Sequence, residues 1–314
     1  MGNITVVGSY IVALVMDTDR IPLEGETVIG DNYHTTHGGK GSNMAACISR
    51  LNGNSTFMGK IGRDSFGESF LKLLKDEGVN NDGVLYSDKL PTAVGFIVSS
   101  SSGSNIIIID IAANGEFSPE DIDENKSIIE QSDVILSPLE IPFDTAIHAA
   151  KLAKGNGIKS ILNPAPAIDL TNENLESVFV ITPNETEGRV CLGLDPQNPI
   201  SDEEVAQKLL ELGPENVILT LGEKGVLWAS EAGVKSTPAL NVDVLDTVGA
   251  GDAFNSGLAV GLSENKSLEE SIAMGVTAAS ISTQYRETIE SSEGFIKLIE
   301  NGQNTQSSWL GIFF

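Results

Sequence analysis

A chain of 314 residues, 40% of them apolar, can bury a large core and belongs among globular rather than disordered proteins. Its 44 acidic against 19 basic residues leave a net charge of −25, which repels phosphate backbones and anionic lipid, so nucleic-acid and membrane partners are excluded. Cys47 and Cys191 stand far apart with no disulfide or zinc spacing, no apolar run reaches about 18 residues, and "MGNITVVGSY" has no basic n-region, so a soluble cytoplasmic protein is expected.

In chain order, "ITVVGSYIVALVM" reads as a buried strand broken by Gly8, and "PLEGETVIGDNYHTTH" as strands exposed on one face. Gly38 to Gly41 lead into the helix "SNMAACISRLN", and "SFGESFLKLLKDEGV" is a second helix closed by Gly78. "TAVGFIVSS" and "NIIIIDIAAN" are strands flanking a serine-rich turn. Beyond about residue 117 strands and helices alternate: "SDVILSP", "FDTAIHAAKLAKGNG", "KSILNPAP", "SVFVITPN", "SDEEVAQKLLELG", "ENVILTLG" and the helices after Asp252. Such alternation implies right-handed crossovers and a mostly parallel sheet with both faces covered. The fold expected is a three-layer α/β/α sandwich, one domain over 1–314, with a small inserted β-sheet lid from segments about 10–37 and 91–114. The polar-then-apolar tail, 303–314, carries no assigned role.

Four segments carry candidate chemistry. In "DTVGAGDAF" a helix beginning near Ala250 would leave the amides of Ala250, Gly251 and Asp252 unpaired, an anion pocket reinforced by the helix dipole. Asp252 could equally be a plain cap of that helix. In "HGGKGSNMA" the glycines permit close backbone approach, and Lys40 and Asn43 supply directed hydrogen bonds; an ordinary strand–turn–helix connection has the same appearance. In "TPNETE" Asn184 and Glu187 lie three apart at a helix start, suited either to Mg²⁺ with its waters or to a capping box. "TLGEKG", Thr220 to Gly225, is a strand end turning on two glycines beside which a nucleotide could lie.

Taken together and in this order, "GGKGSN", "NPAPA", "TPNETE", "TLGEKG" and "DTVGAGDAF" resemble the ribokinase/phosphofructokinase-B-type family of carbohydrate kinases. The resemblance implies transfer of the ATP γ-phosphate to a sugar hydroxyl, with Mg²⁺ as the nucleotide's cofactor. It implies Asp252 as the base and Gly249, Ala250, Gly251 and Asp252 as the anion hole. Gly39, Lys40, Gly41, Asn43 and Glu140 would hold the sugar, together with Asp252. Asn184, Thr220, Leu221, Gly222, Glu223, Lys224, Gly225 and Gly251 would line the ATP site, and Glu187 would organise Mg²⁺ through water. A homodimer through the lid sheet is also implied.

Two departures from the family pattern stand beside these matches. Where such kinases carry Asn-x-Asp after the first strand, this chain has Ile11-Val12-Ala13, which offers no side-chain acceptor. Each charge-assisted hydrogen bond so lost is worth roughly 1.5–3 kcal/mol, which argues against ribose and for another sugar or a nucleoside. Of the K⁺ site that the resemblance implies, Asp246 remains, while "TQYRETIESS" lacks the family's glycine; Arg286 is a candidate to supply the cation's charge instead. A non-catalytic sensor of sugar or nucleotide is the reading from a different functional class.

Overall fold

The computed structural model describes residues 2–102 and 104–284. Its first strand, β1 (Asn3–Val7), is an interior strand of a nine-stranded sheet, whereas β2 (Ile11–Thr18) lies in a separate four-stranded one. The apolar run 4–16 is therefore two strands in two sheets. The chain changes sheet at Gly8, where a Cβ would meet Gly41 Cα at 2.9 Å. After it come β3 (Asp31–Gly38), α1 (Lys40–Arg50), β4 (Asn54–Gly62), α2 (Ser65–Asp76), β5 (Asn80–Ser87), β6 (Val94–Ser100) and β7 (Asn105–Asp110). Of the segment 22–37 only β3 is a strand, and the run "NIIIIDIAAN" stops pairing at Asp110, before a 3₁₀ turn over Ala112–Glu116.

The second half runs α3 (Pro119–Glu124), α4 (Lys126–Glu130), β8 (Val134–Pro138), α5 (Phe143–Gly155), β9 (Lys159–Asn163), β10 (Val180–Ile181), α6 (Glu185–Cys191) and α7 (Asp202–Leu210). It ends with β11 (Asn216–Thr220), β12 (Val226–Ser230), β13 (Gly233–Thr237), α8 (Ala250–Ser263) and α9 (Leu268–Ser282). The large sheet has the order β13-β12-β11-β10-β9-β8-β1-β4-β5, parallel from β5 to β11 and antiparallel beyond.

Side-chain alternation along these strands produces the layers. Val134, Leu136, Ile161, Val180 and Ile218 point into a core shared with α1, α2, α8 and α9. Ile135, Leu162, Ile181, Val217 and Leu219 point the other way, into a core with α3, α5, α6 and α7. Both faces are covered, as parallel sheets require. The small sheet, in the order β3-β2-β6-β7, is the lid. Val12, on one of its faces, joins the first core, and Ala13 on the other stands opposite Thr36 and Gly95, with Ile109 beyond.

At the lid's root Tyr10 stacks on Phe70, ring centroids 4.0 Å apart, and Phe70 meets Phe57 edge-on at 4.8 Å. Phe70 is fully buried. Phe70→Ala should therefore lower unfolding free energy by about 3–5 kcal/mol, read as a lower urea midpoint.

Candidate active site

The connection into α8 turns on Gly249, whose φ of 77° is left-handed and suits glycine alone without strain. Gly249 caps α8 with no side-chain bond. The amide of Ala250 is engaged, donating to Thr247 O at 3.2 Å, so it is not the free donor that the spacing suggests. Among the described residues the amides of Gly251 and Asp252 have no acceptor. A Cβ on Gly251 would meet nothing within 4 Å, so no packing demand accounts for that glycine. Two unpaired N–H groups at a helix start form an anion-binding corner.

Asp252 is 4% exposed and does not act as a cap. Its Oδ2 accepts from Asn43 Nδ2 at 2.9 Å, and its Oδ1 lies 3.8 Å from Lys40 Nζ. Burial raises its pKa, against the pull of the Lys40 charge and the Asn43 hydrogen bond. Glu140, just past β8, is raised by burial too, although Ser9 Oγ and the Lys40 amide both donate to its Oε2, the latter at 2.7 Å. Burial works against charge on Lys40, but the carboxylates of Asp252, Glu140 and Glu187 prevail and hold its pKa above the ordinary lysine value. The Lys40 ammonium thus pairs with Asp252 and feels the charges of Glu140 and Glu187 as well.

The glycines around Lys40 serve the chain itself. A Cβ on Gly39 would meet Ile11 N at 2.8 Å, and one on Gly41 would meet Ser9 N at 2.4 Å. They let α1 start against the β1–β2 turn, which is what brings Lys40 and Asn43 to Asp252. Asn184 and Glu187 form a complete capping box on α6: Asn184 Oδ1 accepts from the Glu187 amide and Glu187 Oε2 from the Asn184 amide, each at 2.8 Å. The box uses one oxygen of Glu187. Burial raises that carboxylate's pKa, with Asp252 adding to the effect and the Asn184 bond and Lys40 opposing it.

Asn184 bridges to Thr220, whose amide donates to Pro183 O at 3.0 Å, so the "TLGEKG" turn lies beside this corner. Leu221 N donates to Gly225 O at 2.8 Å around the 3₁₀ turn Gly222–Lys224, with Glu223 and Lys224 exposed. Gly225 is dictated by packing, since a Cβ would meet Thr237 O at 2.1 Å; Gly222 has open space but a φ of 57°. Asp246 Oδ1 takes the Val248 amide at 3.0 Å and its own amide donates to Thr283 O at 3.1 Å. Arg286 and the tail 303–314 lie outside the described residues.

Pattern reading missed Ser9, which orients Glu140, and Tyr10, whose hydroxyl bonds His37 Nδ1 at 2.7 Å beneath the lid. Burial, with the Asp64 charge behind it, pushes the Tyr10 hydroxyl up and keeps it a donor, while burial lowers His37. Their only sequence signal is adjacency to the glycine turns. Among the described residues no three His, Cys, Asp or Glu side chains cluster as a metal cage.

A carboxyl whose folded pKa is raised binds more protons folded than unfolded, so its charged form opposes folding above that pKa and ceases to as pH falls through it. Asp252→Asn should accordingly be more stable than the natural chain at pH 7, with the gap narrowing at pH 5, measured by urea denaturation at the two values.

The pattern of the pfkB family carbohydrate kinases matches residues 1–294. The chain is 36% identical over 280 residues to a ribokinase of Haemophilus influenzae, covering 89% of this chain and 92% of that one. It is 35% identical over 258 residues to a deoxyribokinase of Salmonella typhi, covering 80% and 83%. Among solved structures, the ribokinase of Arabidopsis thaliana complexed with ribose and ATP superposes with a TM-score of 0.86 at 31% identity, over 95% of this chain and 98% of that one. A parallel sheet with an open helix N-terminus, a buried acid beside it and these relatives have one common reading: the chain belongs to the pfkB family of carbohydrate kinases.

Proposed function

We propose that this ATP-dependent sugar kinase uses Asp252 as its base. The observation that carries the reading is a buried carboxylate with a raised pKa and no capping duty, next to two unpaired helix-start amides. Asp252 takes the proton of an acceptor hydroxyl as that oxygen bonds to the γ-phosphorus. The bond from the γ-phosphorus to the β,γ-bridging oxygen breaks, and ADP leaves. The Gly251 and Asp252 amides, on the turn set by Gly249 and Ala250, receive charge building on the transferred group; such preorganised donors suit phosphoryl transfer. Lys40, Asn43 and Glu140 hold the acceptor, with Gly39 and Gly41 shaping the turn that presents them.

The nucleotide lies along Asn184, the turn Thr220–Gly225 and Gly251. Mg²⁺ would be held through Glu187, which retains an oxygen outside its capping box, with water and the nucleotide's phosphates completing the site. When bound it screens the phosphate charge. Asp246 is the remaining candidate for a monovalent cation.

The lid face above the acceptor is largely apolar: Ala13 is in register with Gly95 and Ile109, and Ile11 lies beside Gly95, with Thr36 as the polar neighbour. It favours an acceptor with an edge bare of hydroxyls, a deoxygenated sugar or a nucleoside, over ribose. The opposite lid face exposes Phe96 at 53% and Ile108 at 65%, side by side in register, an apolar patch suited to a second copy of the lid.

ADP release assayed with ribose, 2-deoxyribose, hexoses and nucleosides should find at least one acceptor, with 2-deoxyribose ahead of ribose. Normal ATP binding with no acceptor turned over would favour a sensor instead. Asp252→Asn should cut kcat by about 10²–10⁴ with ATP affinity within about threefold. Ala13→Asp should shift kcat/KM towards ribose, by about tenfold for one charge-assisted bond. In sedimentation, Ile108→Asp should turn dimer into monomer.

A further inference from the structure

Beneath the anion-binding corner lies a buried polar strut that none of the roles above uses. Thr182 follows β10, two residues ahead of Asn184, and Asn255 lies one turn along α8 from Gly251. Thr182 Oγ1 donates to Asn255 Oδ1 at 2.7 Å, and Asn255 Nδ2 donates to Gly251 O at 2.9 Å. Asn163, at the end of β9, donates through Nδ2 to Thr182 O at 3.0 Å. Thr182 and Asn255 are each 1% exposed and Asn163 is 5% exposed.

The helix does not need this arrangement. Gly251 O already faces the Asn255 amide in the helical ladder, and apolar side chains at 182 and 255 would fill the space with no polar atoms to satisfy. What the strut joins is informative. One end is the peptide that carries the Asp252 amide, next to the Gly251 amide, and the other is the backbone entering the Asn184–Glu187 corner. These are the two places where one nucleotide's phosphates have to be held at once, and small errors in such alignment cost rate heavily.

We propose that Thr182 and Asn255 are positioning residues: their hydrogen bond fixes the first turn of α8 against the Asn184–Glu187 corner, and so keeps the anion-hole amides in line with the transferring phosphoryl. The inference rests on the phosphoryl-transfer reading above. It assigns no contact with substrate to either residue. A strut of this kind matters more when the phosphoryl is planar and partly bonded than when the nucleotide merely sits.

The test compares binding of MgADP alone with binding of MgADP plus aluminium fluoride, a planar phosphoryl mimic, by calorimetry on the full chain. In the natural chain fluoride should tighten binding. Thr182→Val should lose roughly tenfold of that tightening while MgADP alone stays within about twofold, and Thr182→Ser, which retains the hydroxyl, should restore it to within about threefold. Should Thr182→Val not fold, Asn255→Ser carries the same expectation. Equal loss for MgADP with and without fluoride would reduce the strut to general support, and an unchanged ratio would remove its role; both overturn the proposal. Absence of any fluoride effect in the natural chain would overturn the phosphoryl-transfer reading itself, and the strut with it.

Discussion

The buried carboxylate of Asp252 is the constraint around which the rest is arranged. A charge removed from water has to be met by partners, and both of its partners come from α1: the Asn43 amide at 2.9 Å and the Lys40 ammonium at 3.8 Å. That pairing requires α1 and α8 to lie close together, although 209 residues separate Asn43 from Asp252. Ser256 makes the same junction one turn further on, donating to Asp252 O at 2.7 Å and to Met44 O at 3.3 Å. The close approach of α1 to the Ser9–Ile11 backbone, possible only with glycine at 39 and 41, serves the same end.

The charge balance around Lys40 follows from this geometry. Its ammonium pairs with Asp252 and is also under the influence of the Glu140 and Glu187 charges, and burial raises all three acids. Raised acids of this kind are suited to accepting protons, while the unpaired amides of α8 favour an anion. A net charge of −25 does not favour an anion, so an anion-binding corner in this chain has to rest on local backbone dipoles and lysine.

Local and functional explanations of a motif are not exclusive here. The Asn184–Glu187 pair is a complete helix cap and still leaves a carboxylate oxygen over. Among the glycines the two roles divide: Gly39, Gly41 and Gly225 are required where backbone meets backbone, Gly249 where φ is positive, and Gly251 by neither. Spacing cannot make that distinction, because it depends on which atoms fill the volume next to each Cα.

The alternation of strand and helix after residue 117, the helix starting at Ala250 and the small-residue helix that follows the early glycines, though it begins at Lys40 rather than after Gly41, were legible because each depends on near neighbours: side-chain period, turn residues and caps. The early apolar run was misread as one strand, since nothing local to Gly8 reveals that Gly41 presses against it. Ser9, Tyr10, Thr182 and Asn255 carried no pattern, being polar side chains whose partners lie far along the chain. Sequence alone determined the kinds of element, their order and the family resemblance. Tertiary structure decided which acid is buried, which amides stay free and which glycines serve the fold, because burial and hydrogen-bond partnership are properties of packed neighbours, not of chain order.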